Sequence, residues 1–84
     1  MSYSLQIKAS AAKALRIIDK PDRLRLIDAI DRLREDPHVG KALKGEFSGL
    51  RRIRIGRYRV IYEVSEGQLT VLVVRVGHRR DVYR

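Results

Sequence analysis

The chain has no cysteine and no tryptophan, and only two prolines, among its 84 residues. Without cysteine there is neither a disulfide framework nor a thiolate zinc site. Its two histidines, His38 and His78, stand forty residues apart, which makes an all-histidine metal site improbable. No apolar run approaches the roughly 20 residues needed to cross a bilayer. The N-terminal "MSYSLQIK" has neither the charged start nor the apolar stretch of a signal peptide. A soluble cytoplasmic protein with no membrane partner and no cofactor is expected.

Acidic residues are also scarce: ten Asp and Glu stand against nineteen Lys and Arg, for a net charge of +9. Residues 1–50 hold ten basic and seven acidic groups, whereas residues 51–84 hold nine and three. The excess of +6 in the C-terminal third points to a polyanionic partner there. The hydrophobic share, 44%, is that of a folded chain, and the length allows one domain with one small core.

Alternation in "YSLQIK" (3–8) predicts a first strand. "SAAKALRII" (10–18) predicts a helix burying Ala11, Ala14, Leu15 and Ile18. Pro21 interrupts it, and a second helix is expected from Leu24 to about Asp36, with Leu26, Ile27, Ile30 and Leu33 as its apolar stripe and Pro37 as its stop. A glycine-rich loop (38–49) leads to three strands, at about 50–55, 58–64 and 68–76. The order β-α-α-β-β-β defines an α+β fold: two antiparallel helices on one face of a mainly antiparallel four-stranded sheet. A seat beside the last strand is one option for the first.

The stretch "RRIRIGRYRVIY" (51–62) places five arginines in twelve positions of a hairpin. Gly56-Arg57 is a Gly-X pair suited to a two-residue type II′ turn. Counting outward, Ile55 faces Tyr58, Arg54 faces Arg59, Ile53 faces Val60 and Arg52 faces Ile61. Ile53, Ile55, Tyr58, Val60 and Tyr62 then share the helix side, and Arg52, Arg54 and Arg59 share the other. Opposed like charges destabilise a strand pair. A solvated face partly neutralised by Glu63 and a neighbouring loop acid is the plainer explanation. An anion cradle is the better one, because guanidinium forks match phosphate oxygens two at a time. Gly77 is expected to let the chain leave the sheet, so that "GHRRDVYR" (77–84) adds His78, Arg79, Arg80 and the aromatic Tyr83. An aromatic ring among arginines suits a nucleic-acid base.

In "LKGEFSGLRRIRIGRYRVIYEV" (43–64) and "VGHRRDVY" (76–83), and in element order, the chain resembles the RelE branch of the RelE/ParE toxin superfamily. That resemblance implies a fold similar to microbial ribonucleases. It also implies metal-independent cleavage of mRNA codons in the ribosomal A site, by attack of a ribose 2′-hydroxyl on its own phosphate. The family's functional positions fall on Arg52, Arg54, Arg59, Arg79 and Tyr83. Lys41, Lys44, Arg51, Arg57, His78 and Arg80 are the surrounding groups expected to meet RNA. The implied partner is an acidic RelB-like antitoxin, forming a toxin–antitoxin hetero-oligomer. The best-studied members carry lysine where this chain has Arg52 and Arg54. Arginine keeps the grip but, with a pKa above roughly 12, is a poor proton acceptor. That leaves Tyr83, His78 and Glu63 as candidate bases. Two other readings share these features: a ParE-like gyrase poison, and a non-catalytic RNA- or ribosome-binding domain.

Overall fold

A computed structural model describes residues 2–78. Arg79, Arg80 and Tyr83 lie outside the described residues. The elements run β1 (Ser4–Ile7), α1 (Ala9–Arg16), α2 (Lys20–Arg32), β2 (Lys41–Ala42), β3 (Leu50–Ile55), β4 (Tyr58–Ser65) and β5 (Thr70–His78). The sheet has five strands in the order β1-β5-β4-β3-β2, one more than expected. The extra strand is the two-residue β2, antiparallel to β3. β1 lies beside β5 and parallel to it, and every other pairing is antiparallel.

The helices shift against their expected bounds for local reasons. α2 begins before Pro21, because a first-turn residue needs no N–H partner and Arg23 closes the turn on the Asp19 carbonyl at 2.8 Å. It ends at Arg32 instead of Asp36. Leu33, Arg34 and Glu35 donate to carbonyls three residues back, a tightening that runs into a 3₁₀ turn at Pro37–Val39. The stripe is accordingly narrower than expected, with Leu26, Ile30 and Leu33 buried and Ile27 exposed.

Both helices cover one face of the sheet. Ala11, Leu15 and Ile18 join the α2 stripe over Val60, Tyr62, Val71, Val73 and Val76. Tyr62 is the largest buried side chain, with 0% of its surface exposed. Its hydroxyl donates to the Pro37 carbonyl (2.6 Å) and accepts from the Gly40 N–H (3.0 Å). Burial raises its pKa above the usual phenol value, so it remains a donor. A Cβ at position 40 would collide with that hydroxyl and stand 2.9 Å from the Arg52 carbonyl oxygen, so only glycine fits. This clamp delivers the chain to β2. A second tie closes the same end: Tyr3 donates to Glu66 (2.6 Å), and Glu66 pairs with His38. Among the described residues no helix is long and apolar enough to cross a membrane.

Candidate nucleic-acid interface

The β3–β4 hairpin sets the site. Gly56 has φ +60° whereas Arg57 stays outside the positive-φ region, the combination a type II′ turn requires. The register matches expectation at every pair, with Ile55 against Tyr58, Arg54 against Arg59, Ile53 against Val60 and Arg52 against Ile61. In a two-residue hairpin the closing pair carries the ladder hydrogen bonds. Arg54 and Arg59 therefore form the next, non-hydrogen-bonded pair, where Cα atoms approach to about 4.5 Å. Their side chains leave the sheet together, away from the helices.

Lys41 joins them. It stands opposite Arg52 across β2 and β3, so two cations share one end of this face. Arg52 is half-buried, and its Nε has no hydrogen-bond partner among the described residues. Among the described residues, the ion pairs Asp22–Arg25, Asp28–Arg32, Asp31–Arg34 and His38–Glu66 lie elsewhere. Glu63 shares the face but sits four residues along β4 from Arg59, about 13 Å away. Glu63 opposes Leu50 and is thus a diagonal neighbour of Arg52, but among the described residues it forms no ion pair with Arg52 or Arg54.

Four expected contacts are placed differently. Arg51 has the same parity as Ile53 and projects to the helix side, where Nη1 donates to the carbonyls of Gly40 (2.8 Å) and His38 (3.3 Å). It anchors the loop and does not join the cradle. His78 stands opposite Tyr58, with ring centroids 6.1 Å apart, and lines a pocket with Ala14 and Ile18. It belongs to the helix side, because β5 does not leave the sheet at Gly77. The strand runs on to His78 and leaves Gly77, which has no side chain, opposite Arg59. Arg57 is exposed at the hairpin tip and Lys44 is exposed in the loop after β2, neither within the row of the cradle.

Sequence reading missed one residue on this face. Arg75 stands opposite Ile61 and so lies in one row with Lys41 and Arg52. It is the only charge in "LTVLVVRV", but the alternation pattern gave no sign of which way it points. β2 covers only Arg51 and Arg52, so the outer edge of β3 beyond them faces α2 across an open groove of about 790 Å³.

Among the described residues, two helices cover one side of a small sheet and the arginines gather on the other. Residues 5–83 match the family described as the ParE toxin of the parDE type II toxin–antitoxin system. The chain is 32% identical to Toxin RelE of Mycobacterium tuberculosis, over 98% of this chain and 87% of that one. It is 43% identical to Toxin RelG of the same organism across 51 residues, 61% of this chain and 59% of RelG. The RelBE2 toxin–antitoxin complex of M. tuberculosis superimposes with TM-score 0.87 at 27% identity, covering 94% of this chain and all (100%) of that one. The chain belongs to the RelE/ParE superfamily of toxins, as a RelE-type member.

Proposed function

We propose that this toxin is a ribosome-dependent, metal-independent mRNA endoribonuclease that stops translation by cutting A-site codons. One observation carries the proposal: Arg52, Arg54 and Arg59 stand side by side on the sheet face away from the helices. Negative charge grows on phosphate oxygens as a 2′-oxygen attacks, and fixed cations aimed there lower the barrier. Arg54 and Arg59, opposed across the hairpin, hold the scissile phosphate from two sides. Arg52 and Lys41 extend the grip toward the edge of the sheet. Arg79 is assigned to the leaving 5′-oxygen and Tyr83 to the 2′-hydroxyl or to stacking on a base, with Arg80 among the outer phosphate contacts. These three lie outside the described residues and rest on the family resemblance.

The proton must still leave the 2′-oxygen. His78 faces the helix side, which lowers its claim as the base, and Glu63 is about 13 Å from Arg59 along β4. Tyr83 is the assigned base or orienting group. A RelB-like antitoxin with an acidic segment supplies the partner, in a hetero-oligomer in the cytoplasm, and competes with mRNA and the ribosome for the same positive charge. Purified toxin added to a programmed ribosome complex should yield mRNA ends inside the A-site codon. Intact ends with toxin bound would refute the nuclease activity. The match to the ParE family favours a second reading, a gyrase poison, and inhibition of supercoiling by the same preparation would select it.

A further inference from the structure

β5 does not keep a constant alternation. Val73 stands opposite Tyr62 on the helix side. Counting on from it, Val74 would oppose Ile61 and Arg75 would point into the core opposite Val60. Instead the register shifts between Ile61 and Tyr62: Arg75 opposes Ile61 and Val76 opposes Val60. Val74 and Arg75 together stand against Ile61, and Val76 takes the buried position. A β-bulge re-aims a side chain in this way, at the expense of local ladder bonds. Here it moves a charge out of an apolar core and onto the arginine face.

That placement completes a row across four neighbouring strands, from Lys41 through Arg52 and Ile61 to Arg75. At a strand spacing of about 4.8 Å, Arg75 stands about 10 Å from Arg52. Strand side chains rise roughly perpendicular to the sheet, so the two forks meet different phosphates. Beside Arg75, Ile61 with Phe47, Leu50 and Val74 lines a notch of about 90 Å³, an apolar floor for a sugar or base.

Resting on the ribonuclease reading above, we infer that Arg75 is a second phosphate grip. It holds the nucleotide flanking the one seated on Arg52, Arg54 and Arg59, and single-stranded RNA crosses the strands instead of following one of them. The test is binding of the full-length protein to a fluorescent hexanucleotide RNA bearing 2′-O-methyl groups, which cannot be cut, from about 50 to 200 mM KCl. Arg75→Ala should weaken binding about tenfold and reduce the slope of log K against log salt by about 0.7, the value of one phosphate contact on a single strand. Arg75→Lys should restore most of the slope. Lys13→Ala, an exposed charge on α1, should do neither. Thermal melts of each variant verify folding, and Arg75→Gln replaces the alanine variant if that one melts early.

Wild-type binding by Arg75→Ala beside weakened Arg54→Ala would overturn the inference and leave the cradle standing. Equal losses in Arg75→Ala and Lys13→Ala would overturn it too, reducing Arg75 to bulk charge. If Arg54→Ala and Arg75→Ala both bind as wild type, RNA does not use this face, and the ribonuclease reading falls with the inference.

Discussion

Arg54→Ala should move activity and stability in opposite directions. Arg54 is exposed on β3, directly opposite Arg59 in a non-hydrogen-bonded pair, so its removal deletes a like-charge contact and no buried group. Like charges so placed destabilise a strand pair by a few tenths to about 1 kcal/mol. Relief of that repulsion should raise the midpoint of thermal unfolding by up to about 4–8 °C in a domain of this size. If Arg54 grips phosphate as proposed, the same change removes one charge-assisted contact, worth about 1.5–3 kcal/mol. Single-turnover cleavage on programmed ribosomes should therefore slow by about ten- to a hundredfold. Low ionic strength should enlarge both effects, since exposed charges are screened over about 10 Å at 0.1 M salt. Thermal melts at two salt concentrations, paired with quench-flow cleavage on the same preparation, supply both numbers. A variant that melts earlier and cleaves at the wild-type rate would refute the reasoning on both counts, because Arg54 would then be a structural residue.

Tyr62→Phe keeps the ring but orphans the Pro37 carbonyl and the Gly40 N–H, both now satisfied by the hydroxyl; urea unfolding should show a loss of about 2–4 kcal/mol at unchanged m-value, and a loss under 0.5 kcal/mol would show the clamp to be idle. Glu66 has its pKa lowered below 4.5, first by the hydrogen bond from Tyr3 and then by contact with His38, so its contribution is present above the unfolded pKa and lost as pH falls through the folded one. Glu66→Gln should therefore be less stable than wild type at neutral pH, and the two melting curves should converge in acid well below pH 4.5. Tyr83→Phe and Tyr83→Ala divide the roles of the terminal tyrosine: equal loss of cleavage rate assigns the work to the hydroxyl, whereas a Phe variant near wild type leaves only stacking, worth about 1–3 kcal/mol.

How much of this was legible depended on how locally each feature is determined. The hairpin register could be read from six residues, because a Gly-X turn and strict alternation leave one way to pair them. Arg51 was legible by the same parity and was nevertheless counted among the surrounding RNA contacts, its charge outweighing its position beside Ile53. β2 was not legible: two residues carry no periodicity, and Lys41 reaches the sheet only because Tyr62 and Gly40 fix the loop before it. The end of α2 was misjudged because the 3₁₀ tightening after Arg32 uses the same residue types as a helix. Arg75 and His78 were hidden for a common reason. Their faces depend on a bulge in β5, and one inserted residue reverses every later side chain without altering composition.

The shortness of β2 has a consequence for the protein in the company of its own copies. Ladder bonds alternate in direction, so if Ile53 and Ile55 bond to β4, the N–H and C=O of Arg54 point outward past the end of β2. Such an edge is a template on which a second molecule's strand can pair, the usual first step toward aggregates. In this chain the exposed position carries a guanidinium, and antiparallel pairing of two copies about residue 54 would set one Arg54 against another. The charge proposed to grip RNA would thus also keep the toxin from sticking to itself. Arg54→Val, a strong strand former without charge, should lose that protection and show concentration-dependent association in sedimentation velocity, while Arg54→Lys remains monomeric.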